Sequence, residues 1–287
     1  MTAEAVPAAG TVRQRATRAR LPATPGQPSL SPSRAADFKT CPLLYRFRVI
    51  DQLPETPSLE QVRGTLVHAV LDRLFDLPPA QRTPQAAAEL VAPEWARLAA
   101  EQPEWAALVA DDPRELLTSA RALLDGYFTL EDPRRLAPAE REFLVSAVIG
   151  DRLVLRGYID RLDVAPDGAL RVVDYKTGGA PQEAFEAEAL FQLKFYALML
   201  WRTRGVVPRA LRLLYLKDTQ VRDYTPDERE LARFERTLLA LWQAIEQAMQ
   251  RRDFRPNPSR LCHWCDHQKR CPAFGGTPPP YPEPAAA

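Results

Sequence analysis

The stretch "RVVDYKTGG", Arg171 to Gly179, decides how this chain is read. It runs like a strand, yet it ends in an acid and a base. Burying even a neutral polar group without a partner costs about 2–7 kcal/mol, so ordinary core strands avoid such residues. Side chains alternate across a strand, which puts Asp174 and Lys176 on one face and Val173 and Tyr175 on the other. Something must meet the charged pair.

The nearest candidate lies just upstream. A Pro166-Asp167-Gly168 turn centred on Asp167 sets Asp160 directly opposite Asp174, with their Cβ atoms about 4.5–5.5 Å apart, an arrangement that is destabilising for like charges. A shared cation resolves the conflict, because oxygen ligands are what Mg²⁺, Mn²⁺ or Ca²⁺ require. The alternative is a surface hairpin with an exposed ion pair of little worth, and a one-residue slip would part the two acids. Downstream, Gln192 and Tyr196 in "FQLKFYALML" fall four apart on one helix face. There an amide and a phenol could bind phosphate oxygens or a base, or simply bound an amphipathic helix.

Further out, short β-rich runs at 141–149, 152–164 and 169–176 are punctuated by Gly150-Asp151 and by the Pro-Asp-Gly turn. A helix over about 183–203, strands near 210–217 and 220–224, and a long helix opened by a Thr225-Pro226-Asp227-Glu228 capping box follow. On the N-terminal side, Ser58 and Gln61 form a capping box before a stripe through Val62, Leu66, Val67, Val70 and Leu71, with His68 at its edge. Residues 83–101 and 113–128 add an Ala- and Leu-rich helical insert within about 78–136. This order predicts an α/β sandwich with a mixed sheet, one domain over 30–274. Residues 1–29, rich in Arg and Pro, and 275–287, rich in Pro, read as disordered tails. An Arg-rich leader is also compatible with a transit peptide, but its Pro density argues against an amphipathic helix.

The 287 residues carry a formal charge of +1, so any nucleic-acid binding must come from a local basic patch. No apolar run approaches the roughly 18 residues that cross a bilayer, and the N-terminus lacks a secretory core, so a cytoplasmic location is expected. The four cysteines would then stay reduced, which favours a cofactor site over disulfides.

Taken together, these residues resemble the RecB-family branch of the PD-(D/E)XK nucleases. The matches are "LSPSRAADFKTCPLLYRF", "RGTLVHAVLDRLF", "LRGYIDRLD", "VVDYKTG", "FQLKFYALML" and the Cys-rich segment 259–274 with "CHWCDHQKRC". The resemblance implies a restriction-endonuclease-like mixed sheet flanked by helices. It also implies that His68, Asp160 and Asp174 bind a catalytic Mg²⁺ or Mn²⁺, helped by the Tyr175 carbonyl. Lys176 would orient or polarise the attacking water, and Gln192 with Tyr196 would form the QxxxY motif beside the substrate. The family also places an acid on the preceding strand. A tight Gly150-Asp151 hairpin, however, pairs Ile149 with Arg152 and turns Glu140 and Glu142 away from Asp160, so both fall outside the expected site.

Cys41 stands alone near the start, and Cys262, Cys265 and Cys271 form C-x2-C-x5-C. Four thiolates suit a 4Fe-4S cluster or a zinc ion, and His263 or His267 could replace a cysteine at zinc. The split spacing resembles the iron-sulfur staple of AddB-type and CRISPR adaptation nucleases, which favours the cluster. The expected activity is a metal-dependent DNA exonuclease acting on ends or single strands in repair or recombination. A CRISPR adaptation nuclease and a non-catalytic nucleic-acid binding module of the same fold are the alternatives. No G-x-x-x-x-G-K-[ST] loop is present, so a helicase motor would be a separate partner chain.

Overall fold

Two hydrophobic cores, one on each side of a single sheet, organise the molecule. The computed structural model describes residues 28–109, 112–180 and 186–283. The sheet contains β1 (Ser29–Leu30), β2 (Glu140–Ile149), β3 (Leu153–Val164), β4 (Leu170–Lys176), β5 (Ala210–Tyr215) and β6 (Gln220–Tyr224). Its order is β1-β3-β4-β5-β6, with β2 on the other edge of β3. The β2-β3-β4 meander is antiparallel, and the step from β4 to β5 is a parallel crossover. The sheet is therefore mixed, as the element order predicts.

The helices are α1 (Pro32–Thr40), α2 (Pro42–Tyr45), α3 (Leu59–Leu74), α4 (Pro84–Glu101), α5 (Pro103–Leu108), α6 (Arg114–Leu130), α7 (Glu186–Arg204) and α8 (Glu228–Arg251). One face of the sheet packs under α7 and α8, with Leu193, Leu200, Leu238 and Ile245 buried against Leu155, Val172 and Leu213. The other face carries α3, α4 and α6, whose Val62, Leu66, Leu71, Val91 and Leu124 close over Val173, Tyr175 and Leu214. Each such large apolar side chain contributes about 1.5–3 kcal/mol by leaving water. The helical insert thus builds half of the interior. Buried Arg82 ties its two ends together, donating to the carbonyls of Leu77, Pro133 and Leu136.

Local signals explain most boundaries. Ser58 and Gln61 make the reciprocal capping box before α3. The long helix α8 starts two residues later than its capping box suggests, because Asp227, rather than Thr225, accepts the backbone N–H of Glu230. The Pro-Asp-Gly turn closes with Gly168 at φ 82°, and Val164 faces Leu170. The first hairpin differs from expectation: its loop is three residues long, Gly150 to Arg152, so that Ile149 faces Leu153 rather than Arg152.

Both expected tails prove partly ordered. Residues 1–27 and 284–287 lie outside the described residues. Pro28 nevertheless accepts the backbone N–H of Val154, and β1 pairs with Val154 and Leu155. At the other end Tyr281 stacks on Phe254, Phe254 stacks on Tyr45, and Arg46 reaches both the Pro279 carbonyl and the Tyr281 ring. These aromatic contacts supply an apolar anchor that the Pro-rich composition conceals.

Candidate active site and cysteine centre

The register Arg161↔Val173, continued by one residue, sets Asp160 beside Asp174 on neighbouring antiparallel strands. Paired backbone contacts stop there, and the Asp160 carboxylate takes over from the ladder. Its Oδ2 accepts the backbone N–H of Tyr175 at 2.8 Å. This bond holds a buried carboxylate, 4% exposed, in one orientation.

Helix α3 delivers His68 to the same point. Its Nε2 lies 3.0 Å from the Tyr175 carbonyl oxygen and its Nδ1 3.3 Å from Asp160 Oδ2. The imidazole also rests edge-on against the Tyr175 ring, with centroids 5.8 Å apart.

Glu142 completes the group. Its Oε1 is 3.8 Å from His68 Nδ1, and one ligand atom each from His68, Glu142 and Asp160 lie within 4.8 Å of one another. This corrects the expectation that Glu142 turns away: the three-residue loop moves every β2-β3 pair by one place and brings Glu142 across from Asp160. Glu142 is also a non-glycine residue at φ 41°, an uncommon conformation that costs on the order of 1–3 kcal/mol and concentrates at working sites. The β2 side of the site is legible only once the loop length is known.

Asp174 stands beside this trio rather than within it. Its Oδ2 is 2.6 Å from Lys176 Nζ, and its Oδ1 accepts from Gln192 Nε2 at 3.1 Å. The Gln192 Oε1 accepts in turn from Lys176 at 2.8 Å, while its amide also donates to the Tyr196 hydroxyl at 2.8 Å. Gln192 therefore bridges the acid and the base. Burial pushes the Asp174 carboxyl above the usual carboxylate range; Lys176 opposes that shift, and the charge of Asp160 adds to it. Tyr196 fits because residue 157 is glycine, since a Cβ there would come within 2.7 Å of the tyrosine ring.

A support layer below the site escaped the sequence reading. Arg161, wholly buried, donates to Glu131, Asp163 and the Tyr175 hydroxyl, the last at 2.9 Å. It fixes the side chain of the residue whose backbone serves both His68 and Asp160. Charge at a strand position facing a helical layer was the available signal.

All four cysteines line a single cavity of about 50 Å³, together with Phe47, Leu261 and Phe274. The backbone N–H groups of Asn257 and Ser259 donate to Cys41 Sγ and Cys262 Sγ at 3.4 and 3.3 Å. Burial raises the Cys265 thiol, and Cys262 and Cys41 add to it. The thiols therefore converge on one cavity. The histidines of this segment do not enter the cavity lining. His267 bonds Glu55 at 3.0 Å, and His263 lies edge-on to Trp264. Asp266 accepts the backbone N–H of Thr56, just ahead of α3.

The arrangement of acid pair, lysine and crossover sheet matches a family description. Residues 29–272 match the model of the PD-(D/E)XK nuclease superfamily. The chain belongs to this superfamily. A crystal structure of a "Putative exonuclease" from Eubacterium rectale shares the fold at a TM-score of 0.54 and 10% identity, covering 83% of this chain and 87% of that one. The restriction-endonuclease-like architecture is thereby shown. Two relatives are "Gene 69 protein" of Mycobacterium phages D29 and L5, 34% and 32% identical over 133 residues, or 43% of this chain. The match spans 45% and 41% of their own lengths.

Proposed function

We propose that this superfamily member is a divalent-metal-dependent deoxyribonuclease of RecB type, an exonuclease acting on DNA ends or single strands in repair or recombination. The observation that carries this reading is the convergence of His68, Glu142 and Asp160 beside the Asp174–Lys176–Gln192 bridge. Imidazole and carboxylate oxygens suit Mg²⁺ or Mn²⁺, and the nitrogen that faces the Asp160 and Glu142 oxygens is His68 Nδ1, at 3.3 and 3.8 Å. We assign His68, Asp160 and the Tyr175 carbonyl as metal ligands, with Glu142 and Asp174 completing the carboxylate set. When bound, the ion would offset phosphate charge and lower the pKa of a water.

The remaining work falls to the chain's own groups. Lys176 holds a positive charge beside the carboxylates, where it orients the nucleophilic water and offsets negative charge growing on the phosphate. Gln192 fixes the distance between Lys176 and Asp174, and Tyr196 fixes Gln192. The latter pair also faces the substrate.

We assign the four thiols around the cysteine cavity to a 4Fe-4S cluster, which their split spacing favours over zinc. The backbone N–H donors to Cys41 and Cys262 sulfur would suit such a cluster. We assign a cytoplasmic setting, in which the four thiols would stay reduced and available to a cofactor. Among the described residues no helix is long and apolar enough to cross a membrane.

The test is a cleavage assay on end-labelled and circular DNA, single- and double-stranded, with Mg²⁺ or Mn²⁺ or neither. Degradation from ends, dependent on metal and absent in Asp174→Asn, is expected. Equal cleavage without metal, or by the variant, would overturn the reading.

A further inference from the structure

Of the five tryptophans, four lie in or against the two cores; Trp264 is 76% exposed. Exposed Leu261 and Phe274 nearby line the cysteine cavity, which accounts for them. Trp264 lines no part of it. Tryptophan is highly buried on average, so an indole this open marks a candidate contact surface. Among the described residues its ring meets the flanking His263 edge-on and no other ring.

The surrounding charge is one-sided. Between Arg251 and Cys271 there are six basic side chains against two acids. Asp253 is paired with Arg255, and Asp266 with a backbone N–H of Thr56. Arg260, Lys269 and Arg270 are exposed and make no ion pair among the described residues. The chain as a whole carries only +1, so this local excess is the basic patch that a near-neutral nucleic-acid binding protein needs.

We propose that Trp264, with Arg260, Lys269 and Arg270, is a stacking platform for single-stranded DNA on the cysteine-rich segment. A flat ring beside unpaired cations is how single strands are held without sequence preference, one base on the indole and the phosphates on the cations. Position supports the assignment. Asp266, two residues from Trp264, touches Thr56 at the head of α3, and the run of α3 from there to His68 is about 15 Å. A strand held at Trp264 thus reaches the site within the roughly 4–16 nucleotides typical of single-strand binding sites. The inference rests on the nuclease reading for its substrate and deepens it.

The test measures binding of fluorescent single-stranded and duplex oligodeoxynucleotides by the full chain, purified with its cofactor, in chelator so that no cleavage intervenes. Trp264→Ala should weaken single-strand binding about 5- to 100-fold, the equivalent of the 1–3 kcal/mol typical of one stacked base. Trp264→Phe should restore most of it. Joint replacement of Arg260, Lys269 and Arg270 by Gln should flatten the salt dependence, which Trp264→Ala should leave unchanged. Unaltered melting temperature and iron content in Trp264→Ala would exclude a folding effect. Wild-type binding by Trp264→Ala, or an equal loss on duplex, would overturn the platform and point to a protein partner at this surface. If wild-type protein shows this stacking but cleaves nothing with metal, the platform stands and the nuclease reading falls.

Discussion

His68 Nε2 lies 3.0 Å from the carbonyl oxygen of Tyr175, which turns Nδ1 towards Asp160 Oδ2 at 3.3 Å and brings two candidate ligand atoms together. His68→Ala removes one of them. The expected result is a loss of Mn²⁺ affinity beyond the 10–100-fold typical when only an outer partner of a ligand is removed, read by calorimetric titration. Unchanged affinity would place the ion elsewhere.

Asp174 carries a stability penalty that should be visible without any metal. Burial raises its carboxyl pKa, so the folded state holds a proton that the unfolded chain has released. Stability from this group is present at low pH and is lost as the pH climbs from the ordinary carboxylate value through the raised one. Asp174→Asn should therefore melt higher than wild type near neutral pH in chelator, with the difference vanishing towards about pH 4, while cleavage is abolished. A lower melting temperature for the variant at neutral pH would contradict the burial argument.

Lys176→Ala should reduce kcat by about 100- to 1000-fold, the range for a lost charge-stabilising donor, with little change in DNA affinity. Gln192→Leu should give a smaller decrease, because both ends of its bridge remain but their spacing relaxes. Steady-state kinetics on one labelled substrate orders the two.

Gly157→Ala tests the floor beneath Tyr196. The added methyl would come within 2.7 Å of the ring, which is a rigid neighbour. Loss of activity is expected with a destabilisation of about 1–3 kcal/mol; retention of both would mean that the ring can move without consequence.

The cysteine centre should behave as a clasp between distant parts of the chain. Anaerobically purified protein should be brown with about four irons per chain. Cys262→Ala should lower the melting temperature, since closing so long a loop is worth roughly 4–5 kcal/mol in a chain-entropy picture. A colourless protein with one zinc would refute the cluster; an unchanged melting temperature would refute the clasp.

How far the sequence carried depends on the kind of signal. Asp160 could be set opposite Asp174 because a Pro-Asp-Gly turn has a restricted geometry, and the observed register agrees. Glu142 was lost because Gly150-Asp151 reads equally well as a two- or a three-residue loop, and one residue moves a carboxylate from one partner to the next. Arg161 was hidden for a different reason: its partners Glu131 and Asp163 come from a separate helix end and its own strand, and no local pattern announces a buried ion network. Tyr281 is not legible as an anchor, because composition registers the prolines around it and not the aromatic stack it joins.

The contacts among Tyr45, Phe254 and Tyr281, and between Cys41 and Asn257, bear on how the protein is made. Cys41 and Asn257 are 216 residues apart, and Arg46 and Pro279 are 233 apart. At about 5–20 residues per second on the ribosome, α1 and α2 spend on the order of ten seconds or more without the partners that cover them. The half of the interior between α3 and α6 can begin to condense during that interval, because its helices are neighbours in sequence. The other half cannot close until residues 254–281 have been made. Loading of the cysteine centre is thereby deferred until Cys271 has been added, and a nascent chain stalled before residue 254 would present bare apolar helices to chaperones and proteases.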